Sequence, residues 1–186
     1  MMQDSQNRSI PFRNAYWVEA GRLMAGEYPL AYTQAASESR LKSLFDHGIR
    51  RIIDLTEPEE IRRLGPRHPG YAEIVDKTAQ QAGVEATYTS MPIRDFDAPH
   101  RKDLVHILDV IDASISAGCP VYVHCWAGIG RTGTVVGAYL VRHGHPPDMT
   151  MLETIRKMRV HTDTALMESP QSREQRDLIF SWVQHE

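Results

Sequence analysis

The chain has 186 residues, of which 41% are hydrophobic and 24% are charged, and this balance fits one folded globular domain. It excludes a two-domain arrangement, wholesale disorder, collagen and a coiled coil. Lysine and arginine total 21 against 24 acidic residues, and the net charge of -3 argues against nucleic acid or an anionic membrane surface as the main partner.

Hydropathy and cysteine content indicate a cytoplasmic protein that does not bind membranes. No apolar run approaches the roughly 20 residues of a membrane-spanning helix, and the start MMQDSQNRSIPFRN lacks the apolar stretch of a secretory signal. Two cysteines, Cys119 and Cys125, cannot make a disulfide framework, and no zinc-type Cys/His spacing surrounds them. If the segment between them is a strand, it spans about 20 Å, which keeps the sulfurs apart and leaves at least one thiol free.

The hydrophobic periodicity predicts an alternation of strands and helices. Residues 1–14 are expected to form a polar N-terminal segment and residues 15–186 a single domain. In chain order, the patterns predict a hairpin over 15–28, a helix over 35–47 closed by Gly48, and a buried strand at 52–55. They next predict a charged, partly helical segment over 57–82, interrupted by GPRHPG, and an extended segment over 84–90. The last predicted elements are an amphipathic helix over 102–117, a strand at 121–123, a buried helix over 134–141, and helices over 149–158 and 170–184.

Helix caps and spacing support these elements. Leu104, Ile107, Leu108 and Ile111 recur at the i, i+3, i+4, i+7 spacing of an amphipathic helix. Asp148 is the expected N-cap of the helix over 149–158, and Ser169 followed by Pro170 is expected to begin the last helix. Because strands alternate with helices, we predict an α/β fold with a mainly parallel central sheet flanked by helices.

The segment VHCWAGIGRTGT, residues 123–134, carries the clearest chemical pattern. A thiol at the end of a strand, before a glycine loop and a helix N-terminus, lies where backbone N–H groups and the helix dipole favour an anion. The same field stabilises a thiolate, so Cys125 is expected to be the nucleophile. Arg131, six residues later, can direct its planar guanidinium at two phosphate oxygens. We call residues 125–132 the cradle.

Within this segment, HCWAGIGRTGT resembles the HCxxGxxR[ST] loop of the cysteine-dependent protein tyrosine and dual-specificity phosphatases. Three further segments resemble the same superfamily in the same order: GIRRIIDLTEPEE its strand and turn, MPIRDFDAP its general-acid loop, and ESPQSREQ its glutamine-bearing segment. The resemblance runs from about Leu23 to Val183. It implies the same α/β fold, a cysteinyl-phosphate intermediate, and a reaction that needs no metal and no cofactor.

The resemblance also assigns roles within the cradle. Cys125 would attack phosphorus, while Arg131 and the loop amides hold the equatorial oxygens. His124 would support the loop through hydrogen bonds, and the hydroxyl of Thr132 would stabilise the departing thiolate. The remaining residues expected to bind substrate are Trp126, Ala127, Gly128, Ile129 and Gly130.

Outside the cradle, the resemblance assigns an acid and a water-binding glutamine. Asp95, three residues after Pro92, is the expected general acid, with Asp97 in reserve. In QSREQ, Gln171 is expected to position the hydrolytic water, and Gln175 is an equally legible candidate. Glu57 is a candidate ion-pair partner of Arg131.

We therefore predict a small phosphatase of the dual-specificity type whose partner is a phosphoprotein or phosphopeptide, chiefly at phosphotyrosine, with phosphoserine and phosphothreonine as further candidates. One alternative is a phosphatase of a non-protein ester such as an inositol phosphate, a nucleotide or an RNA 5′-phosphate. The uncharged side chains of Ala127 and Ile129 in the cradle argue against highly charged substrates. Another is a phosphate-binding module without catalysis, against which the presence of Cys125, Arg131 and Asp95 argues. The oligomeric state is left open.

Overall fold

Within residues 9–64 and 70–184, which the computed structural model describes, the chain forms a five-stranded sheet and seven helices. The strands are β1 (Ala15–Glu19), β2 (Leu23–Gly26), β3 (Arg51–Asp54), β4 (Thr87–Ser90) and β5 (Val121–His124). The helices are α1 (Gln34–Asp46), α2 (Pro58–Leu64), α3 (Tyr71–Ala82), α4 (Arg101–Ser116), α5 (Gly130–Arg142), α6 (Met149–Met158) and α7 (Arg173–Phe180). Residues 65–69 of the predicted GPRHPG interruption and residues 1–8 of the predicted N-terminal segment lie outside the described residues.

The sheet has the order β1-β2-β5-β3-β4, with β1 antiparallel to β2 and every other neighbouring pair parallel. This confirms the predicted α/β fold, its mainly parallel sheet and the N-terminal hairpin. The strand register places Gly26, Asp54 and Ser90, which end β2, β3 and β4, level with His124 at the end of β5. The carboxyl ends of the parallel strands therefore meet at one edge, where α/β proteins bind their ligands.

Helices cover both faces of the sheet, as a mainly parallel sheet requires. On one face, α1 and α3 contribute buried residues such as Leu44 and Ile74 to one hydrophobic cluster. On the other face, α4 to α7 contribute residues such as Ile111 and Val136 to a second cluster. The four apolar residues predicted at helical spacing in α4 are all buried, which confirms that stripe as core.

Helix α5 begins at Gly130, four residues before the start predicted at Thr134. The sequence prediction placed the glycines at 130 and 133 in a loop, but both are helical, and the glycine at 133 leaves room for another segment. A Cβ on Gly133 would lie 2.2 Å from the Oγ of Ser169, closer than a side chain allows. As a result, Arg131 lies in the first turn of the helix.

The last helix is shorter than the predicted range 170–184, and its N-cap is Ser172 instead of Ser169. The Oγ of Ser172 accepts the backbone N–H of Gln175 at 3.2 Å, and the Gln175 side chain accepts the backbone N–H of Ser172 at 3.1 Å. This reciprocal capping box fixes the start of the helix. Pro170 consequently precedes the helix instead of beginning it. In α6, by contrast, the structure confirms the predicted N-cap Asp148.

Candidate active site

The cradle lies at the carboxyl edge of the sheet, between β5 and α5. Cys125 is 3% exposed and Arg131 is 2% exposed, so both lie at the bottom of the site. Ile129, the N-cap of α5, makes no capping hydrogen bond through its side chain. The first N–H groups of a helix have no intrahelical partner, so those of α5 are directed at whatever the cradle holds. The structure thus brings together the nucleophile, the guanidinium and the backbone donors that the sequence predicted to converge.

The loop of the cradle packs tightly on the end of β2. Gly128 has φ +70, and a Cβ there would lie 2.4 Å from the carbonyl carbon of Gly26, so glycine is required for both conformation and space. The N–H of Tyr28 donates to the carbonyl of Trp126 at 3.0 Å, and the two rings stack with centroids 5.1 Å apart. The Trp126 ring therefore packs in the core cluster of α1 and α3, whereas Ala127 is exposed.

Arg131 is held by Glu60 of α2, and not by Glu57 as the sequence suggested. Its Nη1 donates to Glu60 Oε2 at 2.7 Å and its Nη2 to Glu60 Oε1 at 2.8 Å, a two-bond pairing that fixes the guanidinium plane. Burial, the largest single influence, would lower the pKa of Arg131, but the hydrogen bonds that it donates to Glu60 and the negative charges around it together raise that pKa above its usual value. Glu57 instead accepts the N–H of Asp95 at 3.4 Å. Both candidates lie in the four-residue stretch EPEE, where Glu57 precedes α2 and Glu60 lies in its first turn.

The segment of residues 92–97, which we call the acid loop, lies directly over Arg131. The carboxylate of Asp95 is 2.9 Å from Nη2 of Arg131, and the carbonyl of Ile93 accepts from Nη1 at 3.2 Å. Asp97, the reserve candidate, has its carboxylate 3.7 Å from Arg94. The geometry thus places Asp95 in the site.

Two buried donors in the cradle have no partner among the described residues. They are Nε of Arg131 and the hydroxyl of Thr132. A buried polar group without a hydrogen bond costs free energy, and such groups are common where a ligand supplies the missing partner. Both belong to residues that the sequence predicted to contact the phosphate or the leaving thiolate. The arrangement provides donors for an anion beside Cys125.

His124 supports the cradle from the side of the sheet. Its Nδ1 lies 3.2 Å from the carbonyl of Cys125, which can only accept, and its Nε2 lies 2.9 Å from the hydroxyl of Tyr71. Burial lowers the pKa of His124 and raises that of Tyr71, so a neutral imidazole accepts from the phenol. Nδ1 also lies 3.9 Å from Asp54, whose carboxylate accepts from Tyr88. Sequence reasoning missed Tyr71 and Asp54 because no motif marks them.

The two glutamines of QSREQ occupy different environments. Gln175 is fully buried, and its Oε1 accepts the N–H groups of Gln171 and Ser172, each at 3.1 Å. Gln171 is half-buried, and its Cβ lies 3.4 Å from where a Cβ on Gly130 would be. Of the two side chains, that of Gln171 is the one left beside the cradle without a structural hydrogen bond in the described residues.

Comparison with known proteins gives a family match that spans the site. A family described as "Polymorphic toxin system, DSP-PTPase phosphatase" matches residues 27–145, which include the acid loop and the cradle. The chain is 31% identical to the phosphatidylglycerophosphate phosphatase PTPMT2 of Arabidopsis thaliana over 121 residues, which cover 64% of this chain and 46% of the relative. It is 30% identical to human dual specificity protein phosphatase 9 over 119 residues, which cover 63% of this chain and 27% of the relative. The match therefore spans less than half the length of each of these relatives.

Solved structures share the fold. The active form of Tk-PTP superposes with a TM-score of 0.64 at 23% identity, covering 89% of this chain and 93% of that chain. PTPMT1 in complex with PI(5)P superposes with a TM-score of 0.64 at 22% identity, covering 89% of this chain and 92% of that chain. Among the described residues, no helix has the length and apolar character to cross a membrane.

Proposed function

Because the chain belongs to the polymorphic-toxin family of DSP-PTPase phosphatases, we propose that it hydrolyses phosphomonoesters through a phosphorylated Cys125. The observation that carries this proposal is the pair of unpartnered donors, Nε of Arg131 and Oγ1 of Thr132, buried in the same cradle as the thiol. With the first N–H groups of α5, they form a set of donors suited to a tetrahedral anion.

In the first step, the Cys125 thiolate attacks phosphorus, an S–P bond forms and the ester P–O bond breaks. The substrate phosphate takes the free Nε donor of Arg131, and it competes with Asp95 for Nη2, which lies 2.9 Å from that carboxylate. Asp95, protonated and released toward the leaving oxygen, supplies its proton. Glu60 keeps both of its bonds to the guanidinium and so holds the plane that receives the phosphate.

In the second step, water attacks the phosphocysteine, the S–P bond breaks and the thiolate returns. Asp95, now ionised, accepts the proton of the water. Thr132 donates its unpartnered hydroxyl to the departing sulfur. Gln171 orients the water, a role for which its position beside Gly130 suits it.

For the substrate, we propose phosphotyrosine in proteins. The nucleophile is 3% exposed, and an aryl ester carries its phosphorus farther from the peptide backbone than serine or threonine does. Phe96, next to the acid, is 58% exposed and offers a ring to an aromatic substrate. We further propose a cytoplasmic location, since Cys125 and Cys119 are both free thiols and a reducing compartment keeps a thiol nucleophile active.

A phospholipid phosphate is the second candidate, because a relative with 31% identity is a phosphatidylglycerophosphate phosphatase. One preparation should be assayed on a phosphotyrosine peptide, a phosphothreonine peptide and phosphatidylglycerophosphate in detergent. We expect the highest kcat/KM on the phosphotyrosine peptide. A preference for the lipid would contradict the proposed protein substrate but would leave the proposed phosphatase activity intact. Turnover retained in Cys125→Ser, with Cys119→Ser as the matched control, would overturn the proposed chemistry.

A further inference from the structure

One side chain connects the last helix to the acid loop. Nε2 of Gln175 donates to the carbonyl of Asp97 at 3.1 Å, while the Oε1 of the same amide caps the start of α7. The side chain is fully buried, and both ends of its amide are engaged. Gln175 is therefore not placed to hold a water, the role for which it was the alternative to Gln171.

The acid loop needs support at this point because its turn is strained. The N–H of Asp97 donates to the carbonyl of Arg94 at 3.1 Å, which closes a four-residue turn. Phe96, the third residue of that turn, has φ +63, a left-handed conformation that glycine adopts readily and a bulky residue does not. A turn of this kind persists only where neighbouring groups hold it.

From outside the turn, two contacts hold Asp95, the residue before Phe96, and one holds Asp97, the residue after it. Asp95 is paired with Arg131 at 2.9 Å, and its N–H donates to Glu57 at 3.4 Å. On the other side, the Asp97 carbonyl accepts from Gln175. A bound phosphate competes for Arg131, so the ion pair weakens at the moment when the acid must be in place. The bond from Gln175 is not subject to that competition.

We propose that Gln175 is a positioning residue for the general acid: its amide N–H holds the Asp97 carbonyl, and thereby keeps Asp95 over the cradle while the phosphate occupies Arg131. This inference rests on the proposed role of Asp95. The chemistry of the side chain supports it, because glutamate would accept the N–H groups at the start of α7 equally well. Only the carbonyl of Asp97 requires a donor, which glutamine has and an ionised glutamate lacks.

The test uses Gln175→Glu, which keeps the acceptor for the helix start and removes the donor to the loop. The kcat/KM should be measured on phenyl phosphate, whose leaving group needs a proton, and on p-nitrophenyl phosphate, whose leaving group departs without one. General acid catalysis raises the rate by about 10²–10⁴-fold where the leaving group needs a proton. If Asp95 is held less firmly, we expect kcat/KM on phenyl phosphate to fall by about 10-fold. On p-nitrophenyl phosphate the loss should stay below about 3-fold, and inhibition by vanadate should be unchanged.

The ratio of the two kcat/KM values within one preparation does not depend on the fraction of folded enzyme, so partial unfolding cannot mimic the result. If Gln175→Glu yields no folded protein, Gln175→Met, which also lacks the donor, replaces it. Ser172→Ala is the matched control, since it weakens the capping box and leaves the contact with Asp97 intact; its ratio should equal that of the natural chain.

Asp95→Asn separates the two proposals. If Asp95→Asn shows no selective loss on phenyl phosphate, the proposed acid is wrong and the inference about Gln175 fails with it. If Asp95→Asn shows the selective loss and Gln175→Glu leaves the ratio unchanged, the acid stands and Gln175 is only a helix cap. Selective loss in both variants, with a normal ratio in Ser172→Ala, supports the inference.

Discussion

Replacing Glu60 by glutamine tests how much of the site depends on the orientation of one guanidinium. The carboxylate makes two charge-assisted hydrogen bonds to Arg131, at 2.7 and 2.8 Å, and the two side chains are 8% and 2% exposed. In Glu60→Gln one of these bonds becomes a contact between two donors. Breaking a buried ion pair costs about 3–5 kcal/mol, and Asp95 remains as a second carboxylate, so we expect the lower end, about 3 kcal/mol.

This loss has two measurable consequences. For a chain of this size, 1 kcal/mol shifts Tm by about 2–4 °C, so Tm of Glu60→Gln should fall by about 6–12 °C. The misaligned guanidinium of Arg131 should also lose one charge-assisted hydrogen bond to the phosphate. Such a bond is worth about 1.5–3 kcal/mol, and its loss lowers kcat/KM by about 10- to 150-fold. Vanadate should then raise the Tm of the variant less than that of the natural chain.

The acidic stretch offers matched controls. Glu59 is exposed and pairs only with Arg62 among the described residues, and Glu57 contacts the acid loop and not Arg131. Glu59→Gln should leave both Tm and kcat/KM near their natural values, as surface substitutions do. Two results would contradict the role of Glu60: a Tm of Glu60→Gln, and a rise in Tm with vanadate, equal to those of the natural chain, or the same losses in Glu57→Gln.

Three further predictions concern the reaction itself. Iodoacetate at pH 6 should label Cys125 before Cys119 and vanadate should protect it, since Cys125 lies in the anion-binding cradle and Cys119 does not; labelling of Cys119 with activity retained would contradict this. Asp97→Asn should retain kcat/KM on phenyl phosphate to within about 3-fold while Asp95→Asn loses about 10²-fold or more, and the reverse order would move the acid by two residues. In Gln171→Ala only hydrolysis of the phosphoenzyme should slow, so a nitrophenol burst should appear in rapid kinetics; its absence at unchanged turnover would leave Gln171 without a role.

The sequence predicted the cradle well because its parts are contiguous in the chain. A strand, a glycine loop and a helix start place Cys125 and Arg131 together through local geometry alone, and the structure agrees with that geometry. The helix that follows was predicted to begin too late. Glycine is a poor helix former, so the local pattern favoured a loop at Gly133; its role is to leave room for Ser169, a contact that no local pattern shows.

The supporting residues could not be predicted because they depend on distant packing. Tyr71 reaches His124 from a helix 53 residues away in the chain, and nothing in its own neighbourhood marks it. Glu57 precedes α2 and Glu60 lies in its first turn, and no local pattern shows which of the two carboxylates reaches Arg131. The start of the last helix is a different case: Ser172 and Gln175 form the local S-x-x-Q pattern of a capping box, and the prediction of Ser169 as N-cap overlooked that signal.

The close packing along α5 has a consequence for how the site can move. A Cβ on Gly133 would overlap Ser169, and one on Gly137 would lie 2.5 Å from Ile179, so the helix and the segment that leads into α7 touch without intervening space. Surfaces in such contact shift together, because relative displacement creates either overlap or an unfilled gap. The arginine proposed to receive the phosphate and the glutamine proposed to orient the water therefore belong to one rigid body. Asp95 and Asp97, on either side of Phe96, contact that body through Arg131 and Gln175, so we expect any motion within the site to arise in the segment that carries the proposed acid.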